Sequence, residues 1–231
     1  MPDMNVAHPA SPDIKDDTTI VILPLGAWEQ HGPHLPLATD TLIIDAVIDH
    51  AVNAEFLWSD KFLLAPTLSI TASDEHQGFP GTLSTGTQAL TDSVVAICRS
   101  ASWARTICIV NGHGGNADAL KKIASALDHE KVSYSIWSLP SYNGSDMHAG
   151  RTETSLMLYL NSSQVKMSLL ESGATGSATE LIDAMRVGGV SSVAPNGIIG
   201  DATMATSEHG KEVLDLYVGS LRAHLTQLVR Q

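Results

Sequence analysis

Thr19-Ile20-Val21-Ile22-Leu23-Pro24-Leu25 runs shortly into Glu29-Gln30-His31-Gly32-Pro33-His34-Leu35-Pro36-Leu37-Ala38-Thr39-Asp40. The first stretch is a short continuous apolar run, the pattern of a buried strand. The second is a Gly/Pro-rich loop that carries two carboxylates and two imidazoles. A strand that spills such side chains into the loop at its end is a common way to build a hydrolytic metal site.

Outward from this stretch, apolar runs and helical patterns alternate. Thr41 to Phe56 reads as a helix, with Leu42, Ile43, Ala46, Val47 and Ala51 on one side and Thr39 or Asp40 as its cap. Phe62 to Ala65, Thr106 to Val110 and Val132 to Trp137 read as further strands. Thr87 to Trp103, Asn116 to His129, Thr154 to Leu160 and Ser207 to Val229 read as helices. Strand-then-helix alternation implies βαβ units. The expected fold is α/β: a single domain over residues 18–231, with a mainly parallel β-sheet and helices on both faces. Residues 1–17 are polar, carry three prolines and read as a flexible tail. Residues 172–205 are rich in Gly, Ser, Thr and Ala, and their pattern assigns no element.

Bulk properties narrow the function classes. The 231 residues are 43% hydrophobic and 16% charged, which points to much buried surface, a subunit interface included. The net charge of −12 argues against nucleic acid, because there is no basic field to hold phosphates. Cys98 and Cys108 lie among apolar residues and read as buried thiols; two cysteines make no disulfide framework, and there is no CxxC pair. The N-terminus lacks the apolar core of a secretory signal. No run approaches the ~20 apolar residues of a membrane span. The expected compartment is the cytoplasm.

In open parallel sheets, sites form beyond the carboxyl ends of the strands. Glu29 and His31 follow the first strand, His113 the third, and His148 and Glu153 the fourth. Glu29 and His31, two apart, point to the same side of an extended segment. Their oxygen and nitrogen donors suit a divalent metal such as Zn, Fe(II) or Mn. Asp40 could cap the next helix, or fold back onto the same ion and bridge two. Asn111-Gly112-His113-Gly114-Gly115-Asn116 lacks GxGxxG spacing and a Walker lysine, so its central histidine fits metal ligation better than phosphate binding. His148 could be a general acid or base. Glu153 is a candidate ligand and catalytic carboxylate, or else answers a helix dipole. His34, His76 and Gly114 are candidate substrate contacts, with Asp74-Glu75-His76 as pocket wall. His34 could equally be a loop-packing histidine. A serine-hydrolase reading fails for want of GxSxG, and HExxH is also absent.

Together the segments Leu25 to Pro36, Thr39-Asp40, Asn111 to Asn116, His148-Ala149-Gly150 and Glu153-Thr154-Ser155 resemble the creatininase family of metal-dependent amidohydrolases, in order and in register over residues 18 to 230. The resemblance implies an α/β fold with a site for one or two ions. Glu29, Asp40 and His113 would hold one ion, and His31 and Asp40 would contribute to the second, with Asp40 bridging. It implies hydrolysis of a C–N bond in a small amide, such as creatinine or a formamide, or in a short peptide. It also implies a homo-oligomer, often a hexamer. One departure stands out: creatininase carries a glutamate two residues after the NGH histidine, where this chain has Gly115. Creatinine is therefore not the expected substrate, and Glu153 is the expected replacement ligand. Within the family, the segments 111–116, 148–155, 188–190 and 197–201 look most like those of peptidases that release a modified C-terminal Val-Tyr unit from a short precursor peptide. The rival readings are another small-amide hydrolase, a non-catalytic metal- or ligand-binding homologue, and a nucleotide-binding module built on Gly112 to Gly115.

Overall fold

A computed structural model describes residues 10–52, 61–176 and 178–230. Strand β1, Ile20–Leu25, is buried at all six residues. Helix α1, Thr39–Ala51, follows it. Then come β2, Phe62–Leu64, and α2, Gly86–Ser100. Next are β3, Thr106–Asn111, α3, Ala117–Glu130, and β4, Tyr134–Ser138. The strands lie in the order β2-β1-β3-β4, and every pairing is parallel. The chain continues with α4, Arg151–Asn161, α5, Ala178–Gly188, the short α6, Val190–Val193, and α7, Ser207–Arg230.

Burial on both faces explains why β1 and β3 read as unbroken apolar runs. Successive side chains leave opposite faces of a strand. Ile20 and Ile22 point with Cys108 and Val110 into a core closed by α1, α4 and α7, where Ile44, Ile48, Leu156, Leu221 and Leu225 meet. Val21, Leu23, Ile107 and Ile109 point the other way, onto Val94, Cys98, Ile123 and Leu127 of α2 and α3. Both cysteines are buried and unbridged. The expected parallel sheet with helices on both faces is the architecture present.

Several boundaries move. The first helix starts at Thr39, and its N-cap is Ala38, with no side-chain cap hydrogen bond. The capping reading of Thr39 and Asp40 is thus corrected: Thr39 donates its hydroxyl hydrogen to the Pro36 carbonyl, and Asp40 turns inward and is 3% exposed. This helix ends at Ala51, and residues 53–56 of the expected span lie outside the described residues. Helix α2 stops at Ser100 because the chain turns there, the Ala104 N–H reaching the Ala101 carbonyl. In the expected tail, residues 1–9 lie outside the described residues, while the Asp17 N–H donates to the Trp103 carbonyl at 3.0 Å. Among the described residues, no helix is long and apolar enough to cross a membrane.

The unassigned region 172–205 carries α5 and α6 and is stitched to the site. His148 and Ile199 form an antiparallel bridge, and Ser172 pairs with Asp201. Val190, Ala194 and Ile199 form a small apolar cluster with Phe79, Leu181 and Met185.

Candidate functional site

The loop after β1 is held at three points. Thr71 and Thr41 donate hydroxyl hydrogens to the Gly26 and Ala27 carbonyls, at 2.6 and 3.0 Å. The Glu29 N–H donates to the Leu37 carbonyl at 2.9 Å. These bonds bury Glu29 and His31 completely at the carboxyl end of the sheet. The loop after β3 brings His113 to the same place; the Asn111 amide steadies it by donating to the His113 carbonyl at 2.8 Å. The start of α4 brings Glu153. Its Oε2 accepts the Ala149 N–H at 2.6 Å, so the carboxylate both closes the helix start and faces the cluster. Asp146 caps this helix by accepting the Arg151 and Thr152 N–H groups, a role the sequence reading did not assign.

Asp40 is the centre of the arrangement. Its Oδ1 lies 3.6 Å from His31 Nε2, and its Oδ2 lies 3.3 Å from His113 Nδ1. Each imidazole is tied back by its other nitrogen: His31 Nδ1 to the Glu29 carbonyl at 3.0 Å, and His113 Nε2 to the Ala72 carbonyl at 2.9 Å. A carbonyl can only accept, so those nitrogens carry hydrogen. The other nitrogen of each ring, the one that would offer a lone pair to an ion, faces one oxygen of Asp40. Metal-binding histidines are commonly oriented through the second nitrogen in this way. Glu153 Oε2 is 3.7 Å from His31 Nε2, and Glu29 Oε2 is 3.2 Å from His113 Nε2. Glu29 Oε1 lies 3.2 Å from His76 Nε2 and 3.7 Å from His148 Nδ1.

Both Glu29 oxygens, His31 Nε2 and Asp40 Oδ2 are buried with no hydrogen-bond partner among the described residues. Leaving such groups unpaired is costly, which makes a converging set of them a mark of ligand binding. Donor atoms of Glu29, His31 and Asp40 lie within 4.8 Å of one another, as do those of His31, His148 and Glu153, and those of Glu29, Glu75 and His113. This all-N/O donor set fits Zn, Fe(II) or Mn.

The electrostatics separate the histidines into two pairs. Burial acts to lower His31 and His113, but the carboxylates beside them, Asp40 first for His31 and Glu29 first for His113, outweigh it and raise both to about 10. Burial opposes ionisation of Asp40 too, yet the two imidazoles pull it well below the usual carboxylate range. Glu29 is pushed up by burial to about 8, and Glu153 to about 7. His76 is lowered to about 3 by burial, aided by His113 and His31. His148 is lowered well below its usual value by burial, aided by His31 and His76. Two imidazoles therefore attract protons and two shed them.

The cluster opens into a cavity of about 690 Å³ that is also lined by Gly114, Ile182, Met185 and Val190. Of the expected substrate contacts, Gly114 and His76 line it. His34 does not: its Nε2 meets the Thr154 hydroxyl at 2.8 Å and ties the loop to α4. Glu75, read only as pocket wall, reaches within 3.5 Å of His113 Nε2. Its carboxylate occupies the space that a Cβ at Gly115 would fill. The signal for it was available, since Asp74-Glu75-His76 also follows a strand of the sheet.

Comparison with known proteins agrees with this geometry. A family model described as "Creatininase: Creatinine amidohydrolase" matches residues 5–225. The chain is 42% identical over 199 residues to the mycofactocin precursor peptide peptidase of Mycobacterium tuberculosis (strain ATCC 25618 / H37Rv), covering 84% of this chain and 79% of the relative. It is 43% identical over 196 residues to the protein of that name from Mycolicibacterium smegmatis (strain ATCC 700084 / mc(2)155), with the same coverage. A solved mutant creatininase, described as of Zn-Zn type, shares the fold with a TM-score of 0.74 at 24% identity, over 91% of this chain and 90% of that one. With its parallel sheet, its cluster of histidines and carboxylates at the strand ends and a family match along nearly its whole length, the chain belongs to the creatininase family.

Proposed function

We propose that this chain is a cytoplasmic, homo-oligomeric, metal-dependent hydrolase of C–N bonds, acting as a peptidase that releases the modified C-terminal Val-Tyr unit of a mycofactocin precursor peptide. The observation that carries the chemistry is the Asp40 carboxylate lying between two imidazoles, each oriented by a backbone carbonyl. The substrate follows the relatives named for that peptide, at 42 and 43% identity. Glu29, His31, Asp40, His113 and Glu153 would hold one or two divalent ions. When bound, such an ion lowers the pKa of water and polarises a scissile carbonyl.

The chain's own groups do the rest. His148 is neutral near pH 7, so its Nδ1 takes a proton from the attacking water and delivers it to the departing amine. Glu153, held by the Ala149 N–H, keeps its carboxylate on the cluster. The cavity is the size of a ligand pocket, and the apolar Ile182, Met185 and Val190 in its lining suit valyl and tyrosyl side chains. The test is to offer the zinc-loaded protein both a peptide ending in Val-Tyr and creatinine. Release of the C-terminal unit, with little turnover of creatinine, is expected. Faster turnover of creatinine or of a formamide would overturn the substrate assignment in favour of that sister activity.

Ion binding should be coupled to proton release. In the metal-free chain, His31 and His113 hold protons up to about 10 and Glu29 up to about 8. Raising the pH removes these competing protons, so apparent zinc affinity should increase by about tenfold per pH unit for each proton displaced between pH 6 and 8. Calorimetry in buffers of different ionisation enthalpy counts the protons. A pH-independent affinity would place the ion elsewhere.

A further inference from the structure

We propose that Gln30 is a positioning residue that fixes which nitrogen of His76, and which of His148, carries the hydrogen. This deepens the hydrolase reading and rests on it for its functional meaning. Two backbone groups of known polarity set the orientation of the Gln30 side-chain amide. The Gly32 N–H can only donate, and it meets Gln30 Oε1 at 2.9 Å. The Gly197 carbonyl can only accept, and it meets Gln30 Nε2 at 3.1 Å. Flipping the amide would break both bonds, so oxygen and nitrogen are assigned without ambiguity.

The amide nitrogen has two hydrogens. One goes to Gly197. The other points to His76 Nδ1 at 2.9 Å, which must accept it. A neutral imidazole that accepts at Nδ1 carries its hydrogen on Nε2. His76 Nε2 then carries the hydrogen, with Glu29 Oε1 3.2 Å away, so this ring has no lone pair left for an ion.

No third amide hydrogen exists for His148 Nε2, although it lies 3.1 Å from Gln30 Nε2. That nitrogen instead donates to the Gln30 backbone carbonyl at 2.9 Å. This is the arrangement in which every one of these atoms has a partner. It leaves the lone pair of His148 on Nδ1, on the Glu29 side of the ring. One glutamine thus puts the His76 hydrogen on Nε2, the nitrogen beside Glu29, and leaves the lone pair of His148 on Nδ1.

The device needs glycine at 197. Its φ is +78°, and a Cβ there would collide with the Gln30 amide.

The test reads imidazole ¹⁵N signals of the full-length, zinc-loaded protein, assigned by single-histidine substitution. In the wild type, the His76 hydrogen should sit on Nε2. In Gln30→Glu, whose carboxylate only accepts, it should move to Nδ1. In Gln30→Met, of similar size but with no hydrogen bond to offer, the two tautomers should mix. Outer partners of this kind typically change activity by about 10- to 100-fold, so kcat should fall by that amount in Gln30→Met with zinc content retained. A wild-type hydrogen on Nδ1 overturns the proposal whether or not either variant folds. An unchanged tautomer in a folded variant overturns the assignment to Gln30. Because the signal is independent of turnover, a failed peptide assay would remove the hydrolase reading and leave the tautomer result standing.

Discussion

Asp40→Ala is expected to empty the site of divalent ions and to lower kcat/KM by about 10³-fold or more. A bound ion contributes several kcal/mol of charge stabilisation, and about 4 kcal/mol corresponds to that factor. The size of the effect follows from position. Asp40 presents one oxygen to His31 and the other to His113, so its removal weakens both halves of the donor set at once. Truncating Glu153, by contrast, leaves the pairs of Asp40 with His31 and His113 in place. Metal analysis after dialysis, beside the rate, decides the matter. A folded Asp40→Ala protein that keeps its ions and its rate would mean that the cluster is not the ligand shell.

His148→Gln should behave differently: full metal content, unchanged fold, and kcat lower by about 10²- to 10⁴-fold, the usual contribution of general acid–base catalysis. The ring is buried, low in proton affinity and anchored through Nε2, which suits a group that takes and returns a proton at Nδ1. His148 also lies within ligand distance of His31 and Glu153. Loss of an ion together with rate would therefore reassign it from proton carrier to ligand. Retention of both would remove it from the mechanism.

Much of the fold was legible in the chain because parallel strands covered on both faces leave unbroken apolar runs. Ile20–Leu25 and Thr106–Asn111 are such runs, and both were read with little error. Helix ends were less legible, since they answer to loop contacts that are remote in sequence. Thr39 and Asp40 looked like caps and proved to be the first turn of α1, with Asp40 turned toward His31 and His113. Residues 172–205 were not assigned from their pattern; in the structure they are ordered by the His148–Ile199 and Ser172–Asp201 bridges and by the apolar cluster of Leu181, Met185, Val190, Ala194 and Ile199.

For the site, residue type and strand-end position were enough to bring Glu29, His31, Asp40, His113, His148 and Glu153 onto one list. They could not show that Glu75 fills the space beside Gly115, or that His34 turns to Thr154. The sequence by itself determined which donors exist and at which end of the sheet they gather, because apolar periodicity and strand order are properties of the chain. Only the tertiary structure decided which nitrogen faces which oxygen. Gln30 meets His76, His148 and Gly197 from 46, 118 and 167 residues away. The direction of a hydrogen bond depends on where such partners finally lie in space.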